Sequence, residues 1–342
     1  MLVEPDLDRA ALAAALQRDY GLAASAVRFV PVGETAWCYQ VTDEQGGRWF
    51  LKLGRPGAIE PARAEFALEP GRALAELGLP VPRPQPTRGG ALWCWLGGLR
   101  LALFEFVDGA PLSDRDLSAA GLTERVAGLA AAIHGATGAL AVPVPFAEMF
   151  EVWTDGLRSC LAELEAGAGG AERVGLPRRG RWCGRNTGPP RQQQRVQALG
   201  DAVRSRPREL VLCHGDLRGD NLLGDRAGRV RLVDWDGAML APRERDLVLF
   251  TGRGFAAFLA GYQRAADRGI DADADLLAFF LLRRNLEDLV DWLAGVLTSD
   301  RPVEQRRADL DGVRWCLSRW AALEVRIKHA RGVLARRRRE SR

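Results

Sequence analysis

Residues 211–236 read "VLCHGDLRGDNLLGDRAGRVRLVDWD", a stretch with five aspartates, one asparagine and one of the chain's three histidines. The acidic turns follow two runs of apolar β-formers, LVLC and VRLV. Carboxylates repel one another and are costly to bury unless a positive charge compensates them. The segment is therefore either a solvated turn or a place where a cation binds.

The spacing of the polar residues favours a cation. Asp216 and Asn221 follow the first predicted strand, and Asp234 follows the second. Two hairpin-related loops can bring Asn221 and Asp234 face to face, and their oxygens are ligands of the kind that Mg²⁺ prefers. Asp216 is then free to orient a hydroxyl group and accept its proton. The pattern predicts a magnesium site beside a general base, with a nucleotide as the partner of the metal.

The same residues carry a resemblance to a known family. Asp-x4-Asn, followed thirteen residues later by a second Asp, is similar to the catalytic-loop and metal-loop pattern of protein kinases. The forms HGD and DWD resemble the aminoglycoside phosphotransferase family, and VDWDGAMLAPRERDL is most similar to its spectinomycin phosphotransferase-like members. The resemblance covers about residues 27–330 and leaves 167–195 unmatched.

The resemblance implies an α+β, two-lobed protein-kinase-like fold, with a five-stranded antiparallel N-lobe and a mainly helical C-lobe. The periodicity of the chain indicates the same order. Residues 27–107 read as five strands with a helix after the third, and that helix is expected to kink or restart at Pro70. An N-terminal helix is predicted over 5–20. Further helices are predicted over 117–135, 147–166, 195–204, 245–266, 274–297 and 303–335.

The implied domain organisation follows from that order. The nucleotide-binding N-lobe spans residues 1–104, the hinge 105–109, and the C-lobe 110–342, which would bind the acceptor. Residues 167–195 are rich in Gly, Pro and Arg without a period, which is typical of a flexible insertion.

Lysine usage supports the nucleotide site. The chain has 48 Lys and Arg residues, of which only Lys52 and Lys328 are lysine. The family needs a lysine on the third strand to bind the α and β phosphates, and Lys52 lies on the strand WFLKLG, the third strand by our count. A compact ammonium group binds phosphate as a point charge, and a planar guanidinium does not substitute well for it. The alternative is a surface lysine on an edge strand.

The resemblance also assigns the remaining nucleotide contacts. A glutamate on the following helix should orient Lys52, and Glu69 is preferred over Glu65. The phosphate-covering loop lacks the pattern G-x-G-x-x-G, so only Gly33 gives it flexibility, and Thr35 and backbone amides would contact phosphate. The main chain of the hinge, at Glu105 and Val107, would bind adenine.

Several polar residues near the acidic segment have two interpretations. Arg218 either stabilises charge on the transferred phosphate or is a solvated loop residue. Asp236 either contacts substrate or caps a turn. We expect His214 to brace the catalytic loop without transferring a proton.

Acidic residues on a C-terminal helix suggest where the acceptor binds. The predicted helix LLRRNLEDLVDWLAG places Glu287, Asp288 and Asp291 within about one turn, and in the alternative interpretation they are solvated acids balanced by Arg283 and Arg284. In the family, helices of this region wall the acceptor pocket. An acidic wall would attract a cationic, hydroxyl-rich ligand.

Composition excludes several classes of protein. No apolar run reaches the roughly 18 residues that span a bilayer, and the N-terminal residues do not read as a signal peptide. The net charge of +4 does not by itself imply nucleic-acid binding, although 173–195 and the tail are locally basic. We expect a cytoplasmic protein without a membrane partner, of monomeric or dimeric state. Its cysteines should be free thiols: Cys38, Cys94, Cys160, Cys183, Cys213 and Cys316.

The predicted function is therefore transfer of the γ-phosphoryl group of a nucleoside triphosphate, with Mg²⁺, to a hydroxyl of an aminoglycoside-like or aminocyclitol-like acceptor, as in antibiotic resistance. The core motif does not separate ATP from GTP. The alternatives are a kinase of another small metabolite, such as choline, homoserine or a sugar, and a catalytically silent kinase-like binding protein.

Overall fold

A computed structural model describes most of the chain: residues 3–33, 35–55, 57, 60–117, 119–152, 154–165, 189–266, 270–297 and 301–340. Most of the predicted flexible insertion at 167–195 lies outside these ranges. Its last seven residues are described, and they are helical, since a helix spans Pro189–Arg204. That helix therefore begins earlier than the predicted residue 195.

The chain divides into two compact units. The first comprises Met1–Phe146, Val211–Leu240 and Arg264–Ala266. The second comprises Ala147–Leu210, Ala241–Gln263 and Asp267–Arg342. The hinge at 105–109 stays a prediction.

A five-stranded antiparallel sheet forms the centre of the first unit, as predicted. Its strands stand in the order β1-β2-β3-β5-β4, so β3 is an inner strand, paired on both sides. The bounds are Ala24–Val30 (β1), Ala36–Asp43 (β2), Arg48–Gly54 (β3), Cys94–Leu96 (β4) and Leu99–Glu105 (β5).

The two faces of this sheet differ because side chains alternate along each strand. One face is apolar and packs on the N-terminal helix. This helix was predicted over 5–20; it spans Arg9–Ala15 (α1) and continues as a π-helical turn over Leu16–Tyr20. Lys52 lies between Leu51 and Leu53 in the chain and so faces the other side. The buried apolar cluster contains Leu12, Leu16, Leu22, Tyr39, Val41, Leu51, Leu53, Leu101 and Leu103.

The helical segment after β3 breaks earlier than predicted. Helix α2 spans Pro61–Phe66 and helix α3 spans Leu68–Glu76, so the restart lies at Ala67 and not at Pro70. Pro70 is the third residue of α3. It is tolerated there because the first-turn N–H groups of a helix have no partner within the helix.

Five short strands hold the acidic segment. They are Ala110–Pro111 (β6), Val211–Cys213 (β7), Leu222–Gly224 (β8), Val230–Leu232 (β9) and Met239–Ala241 (β10). The two predicted strands, LVLC and VRLV, are both present but do not pair with each other. β7 pairs with β10, and β9 pairs with β8 in a sheet of order β6-β8-β9.

Helices make up most of the remaining chain, as predicted, but the helix predicted over 245–266 is two separate helices, Glu244–Leu247 and Phe255–Ala266. The predicted helix over 303–335 is two helices that meet at Arg319, where the guanidinium group lies 3.7 Å from the ring centroid of Trp315. None of the described helices is long and apolar enough to cross a membrane. The bounds are Asp114–Leu117 (α4), Ala120–Gly135 (α5), Thr154–Glu165 (α6), Pro189–Arg204 (α7), Glu244–Leu247 (α8), Phe255–Ala266 (α9), Ala274–Leu297 (α10), Val303–Ser318 (α11) and Trp320–Glu340 (α12).

The cysteines of the described residues are free thiols, as predicted: Cys38, Cys94, Cys160, Cys213 and Cys316. Cys183 lies outside the described residues. Burial raises the pKa of Cys38 to about 11, so this thiol is protonated at neutral pH.

A buried ion pair ties helix α10 to the start of the second unit. Arg283 donates to both carboxylate oxygens of Glu148, at 2.7 and 2.6 Å, and both side chains are less than a tenth exposed. Arg245 lies 3.6 Å from the same carboxylate, and Phe150 N–H donates to it at 2.6 Å. Burial alone would raise the pKa of Glu148, but its bonds to Arg283 outweigh burial and lower it.

Replacing Glu148 by Gln should lower the free energy of unfolding at neutral pH by about 3 kcal/mol, because it leaves buried positive charge with less compensation. Because the folded protein lowers the pKa of Glu148, the ionised carboxylate stabilises the fold at pH values above the ordinary pKa of 4.5. This stabilisation is lost as the pH falls through the pKa that Glu148 has in the folded protein. Urea unfolding should therefore show a difference in the free energy of unfolding between the parent and Glu148→Gln, and this difference should disappear as the pH falls below 4.5. A difference in the free energy of unfolding that is the same at acidic and neutral pH would contradict the role of the ionised Glu148 carboxylate.

Candidate active site

His214 connects the loop after β7 to the loop after β9. The ring is fully buried, Nε2 donates to the carbonyl oxygen of Val233 at 2.9 Å, and Nδ1 accepts the N–H of Asp216 at 3.2 Å. Trp235 packs edge-on against the ring, with 4.7 Å between centroids. Both ring nitrogens therefore bind backbone, which agrees with the predicted brace.

Gly215 explains why glycine follows this histidine. Its φ is +83°, and a Cβ atom placed on it would lie 2.4 Å from the carbonyl oxygen of Gly237. Both conditions exclude a side chain. The HGD loop and the DWDG loop thus touch backbone to backbone.

Asp216 and Asn221 are joined directly. The Asn221 amide group donates to the Asp216 carboxylate at 3.0 Å and to the Asp216 carbonyl oxygen at 2.9 Å. A 3₁₀ turn over Gly219–Asn221 places the amide there. The amide nitrogen is used by these bonds, so the side-chain oxygen of Asn221 is the atom that could bind a cation.

Asp234 has a strained backbone at the end of β9. Its φ of +68° lies in the left-handed region, which costs a non-glycine residue about 1–2 kcal/mol. Such strain is found where the surrounding structure imposes it, often at functional sites. The conformation brings the carboxylate within 2.5 Å of Lys52 Nζ.

Lys52 lies on β3 as predicted, and its side chain is only 19% exposed, which excludes the surface interpretation. Its ammonium group is also 3.6 Å from Asp236. Burial alone would lower the pKa of Lys52, but the charges of Asp234 and Asp236 outweigh burial and raise it. Lys52 in turn lowers the pKa of Asp234 against the effect of burial. Lys52 and Asp234 therefore form a charged pair at neutral pH.

The predicted phosphate-covering loop also reaches these charged residues. Thr35 Oγ1 donates to Asp236 at 3.4 Å, and Gly33 has a φ of +78°. Burial and the neighbouring Asp234 raise the pKa of Asp236, although Lys52 opposes this. Among the described residues, a cavity of about 160 Å³ is lined by Thr35, Lys52 and Asp236 together with other residues of the sheet.

Comparison with known proteins identifies the family. The sequence model of the phosphotransferase enzyme family matches residues 26–280, three quarters of the chain. The chain belongs to this family. It is a phosphotransferase that acts on a hydroxyl group, and the predicted resemblance is confirmed. No curated protein gave a significant match.

Solved structures share the fold at low identity. Spectinomycin phosphotransferase APH(9)-Ia, in complex with ADP and spectinomycin, has a TM-score of 0.69 and 19% identity, over 94% of this chain and 99% of that one. Amicoumacin kinase hAmiN, in complex with AMP-PNP, Ca²⁺ and amicoumacin, has a TM-score of 0.63 and 14% identity, over 92% and 94%. A microcompartment-associated aminopropanol kinase has a TM-score of 0.62 and 18% identity, over 92% and 98%. These likenesses confirm the predicted kinase-like α+β fold.

In this phosphotransferase Glu69 does not reach Lys52, contrary to our expectation. Glu69 pairs with Arg72 at 2.8 Å on the same helix. Asp234 and Asp236 are the carboxylates that pair with the Lys52 ammonium group instead, at 2.5 and 3.6 Å. Glu65, the alternative, lines the cavity that contains Lys52.

The other predicted nucleotide and catalytic residues lie at element ends. Arg218 is 38% exposed, 3.6 Å from the Asp216 carboxylate and 3.4 Å from Asp220. Glu105 ends β5, where its N–H donates to the carbonyl oxygen of Arg83 at 3.1 Å. Val107 follows outside the sheet. The roles of Arg218, Glu105 and Val107 stay predictions.

The predicted acceptor residues lie on α10 of the second unit. Glu287 pairs with Arg283 at 3.2 Å, and Asp288 pairs with Arg284 at 2.6 Å. Both acids are thus partly neutralised by arginines one turn away, as the alternative interpretation expected. Their role in acceptor binding stays a prediction.

The residues of the phosphotransferase fit a bound magnesium nucleotide. Asp234 offers a carboxylate oxygen that already contacts a cationic group, and Asn221 offers an oriented amide oxygen. Hard oxygen donors of this kind suit Mg²⁺, which keeps further positions for water and phosphate. Lys52 is a largely buried cation beside the Asp234 carboxylate.

Sequence reasoning missed two arginines. Arg55 and Arg100 line the cavity beside Lys52. The available signal was strand alternation, because Arg100 lies two residues before Ala102, which stands opposite Lys52. Finding it required the pairing of β3 with β5.

Proposed function

We propose that this phosphotransferase moves the γ-phosphoryl group of ATP, with Mg²⁺, to a hydroxyl group of a cationic small molecule of the aminoglycoside or aminocyclitol class. Two contacts support this proposal: the ion pair between Lys52 and Asp234, and the hydrogen bond that Asn221 donates to Asp216. His214 braces the loops that carry these residues. A catalytically silent binding protein would not need a general base next to this cluster.

Each residue has a separate role in the proposal. Asp216 orients the acceptor hydroxyl and accepts its proton. Asn221 and Asp234 hold Mg²⁺, which when bound neutralises the charge of the phosphates. Lys52 exchanges its contact with Asp234 for phosphate oxygens. Positioning and charge stabilisation supply most of the rate.

The acceptor class rests on two observations. The solved relatives named above bind spectinomycin or amicoumacin, or are named for aminopropanol, and all of these compounds carry amines. Glu287 and Asp288 supply carboxylates on α10 that an amine could share with the paired arginines. The expected acceptor is therefore amine-bearing and rich in hydroxyl groups, with spectinomycin first on the list.

The experiment that tests the proposal measures nucleotide consumption with and without acceptor. The enzyme is incubated with ATP and Mg²⁺, and a panel of aminocyclitols, aminoglycosides, choline, homoserine and small sugars is added one at a time. We expect ADP release to rise with an amine-bearing polyol. ADP release that no acceptor stimulates would contradict the acceptor class.

Lys52→Arg should impair turnover although it keeps the charge. The ammonium group lies in a buried position between two carboxylates, and a planar guanidinium is too large to take its place. We expect kcat/KM for ATP to fall at least about tenfold, since the compact phosphate contact is lost. Arg72→Lys is the matched control, because Arg72 pairs with Glu69 and Glu76 on its own helix. Unchanged steady-state kinetics in Lys52→Arg would remove the phosphate role.

Neutralising the acids of α10 should affect the acceptor selectively. Glu287→Gln and Asp288→Asn are expected to raise the KM of the acceptor several-fold, because each removes a partly buried carboxylate that would pair with the amine of the acceptor, and to leave the KM of ATP unchanged. The acceptor's affinity should also weaken as salt concentration rises. An uncharged or anionic acceptor, or an acceptor KM that neither substitution changes, would refute the acidic wall.

A further inference from the structure

One face of the sheet carries a cationic hollow. Lys52 stands opposite Ala102 in the pairing of β3 with β5, and Gly54 stands opposite Arg100. Paired residues share a face, and so do residues two apart in a strand, so all four side chains point to the same side. Gly54 and Ala102 are small and leave room between the ammonium group of Lys52 and the guanidinium group of Arg100.

Arg100 has no partner that accounts for its burial. Within the described part of the chain, its guanidinium group forms no hydrogen bond or ion pair, and Nη1 is buried. Burial lowers the pKa of Arg100, while the charges of Asp236 and Glu65 partly oppose that effect. A half-buried cation without a hydrogen bond is costly to maintain unless an anion binds it.

Arg55, the residue that follows the end of β3, repeats this pattern. Its Nε atom is buried and has no hydrogen-bond partner among the described residues. Its backbone N–H donates to the carbonyl oxygen of Thr35 at 3.3 Å, which holds the residue beside the predicted phosphate-covering loop. Two guanidinium groups therefore lie near Lys52 with donors to spare.

The cavity between these cations has the size of a small oxyanion. Its volume is about 160 Å³, below the roughly 300 Å³ of ligand pockets that enclose a drug-sized molecule. Lys52, Arg55 and Arg100 contribute three positive charges to its lining, against Glu65 and Asp236. The lining also includes the apolar side chains of Leu68, Trp93 and Trp95, so the three cations supply the contacts that would bind a phosphoryl group.

We propose that Arg55 and Arg100 form, with Lys52, the position that binds the terminal phosphates of the nucleotide. The inference rests on the proposed function, because it takes a nucleoside triphosphate as the phosphoryl donor. Guanidinium groups bind phosphate oxygens through paired N–H donors, and these hydrogen bonds are among the stronger ones in proteins. Binding would supply the anion that both arginines lack.

The test measures nucleotide affinity by calorimetry, with AMP-PNP, ADP and AMP in the presence of Mg²⁺. Arg100→Gln is expected to weaken AMP-PNP about ten- to a hundredfold, the loss typical of a hydrogen bond between charged groups, and to leave AMP unchanged. Arg55→Gln should act in the same direction. Arg72→Gln is the matched control, since Arg72 pairs with Glu69 and Glu76 outside the cavity and should not change the ratio of affinities.

Stability without nucleotide separates a binding role from a structural one. Arg100→Gln removes no hydrogen bond and should not lower the melting temperature of the nucleotide-free protein, whereas the gain in melting temperature on adding AMP-PNP should shrink. A lower melting temperature of Arg100→Gln without nucleotide would mean a structural role and would overturn the proposal.

Three further outcomes would also overturn the proposal. The first is an AMP-PNP affinity that Arg100→Gln leaves unchanged, and the second is an equal loss of affinity for AMP-PNP and AMP. The third is a loss of affinity for inorganic phosphate without a loss for AMP-PNP, which would indicate a separate anion site. Failure of the proposed function is distinguishable, because the parent protein would then bind AMP-PNP no better than AMP.

Discussion

Asp216→Asn is expected to lower the rate of phosphoryl transfer about 10²- to 10⁴-fold, which is the usual contribution of a general base. The structure makes this substitution a clean one. Asn221 donates to the Asp216 carboxylate at 3.0 Å, and an amide oxygen at the same position can still accept that bond. The loop keeps its shape, and only the capacity to take a proton is lost. Affinity for ATP with Mg²⁺ should remain.

Single-turnover kinetics and nucleotide titration on the same preparation decide this prediction. Asp220→Asn is the matched control, because Asp220 lies in the same loop and its side chain is 73% exposed. It should keep nearly the parent rate. If Asp216→Asn turned over close to the parent rate, the assignment of the catalytic loop would be wrong.

Asp234→Asn should lower kcat/KM about 10³-fold, since a bound metal is worth several kcal/mol to phosphoryl transfer. Asparagine is the informative replacement here. It tolerates the left-handed backbone that Asp234 adopts, so the loop is preserved while the charge is removed. Asn221 would remain as a neutral ligand and would hold Mg²⁺ weakly. The advantage of Mg²⁺ in nucleotide binding should therefore disappear.

Titration of AMP-PNP with and without Mg²⁺ measures that advantage. Asp236→Asn serves as the comparison, because Asp236 lies two residues away and also faces Lys52, but is not a proposed metal ligand. We expect Asp236→Asn to retain the effect of Mg²⁺. Equal Mg²⁺ dependence in the parent and in Asp234→Asn would exclude the metal role.

Strand alternation and motif spacing were sufficient to predict the core of the site. The five strands and the position of Lys52 on the third follow from a two-residue period that any reader of residues 27–107 can count. The HGD and DWD motifs lie in loops after β7 and β9 because a polar residue follows each short strand within two positions. Local sequence determines these features.

Features that depend on distant pairing were not predictable. Glu65 lines the cavity that contains Lys52, whereas Glu69 pairs with Arg72 on its own helix, and the local sequence does not distinguish the two glutamates. Arg100 reaches Lys52 only through the register of two strands about fifty residues apart. The partners of the buried pair, Glu148 and Arg283, are 135 residues apart in sequence.

Mass spectrometry of the acceptor tests the central claim most directly. Spectinomycin, and then each member of the acceptor panel, is incubated with ATP, Mg²⁺ and either the parent protein or Asp216→Asn. The account predicts that the parent adds one phosphoryl group to a hydroxyl of an amine-bearing polyol and that Asp216→Asn forms almost none of this product. If the parent binds ATP but phosphorylates no amine-bearing acceptor, or if Asp216→Asn forms the product as fast as the parent, the account is contradicted.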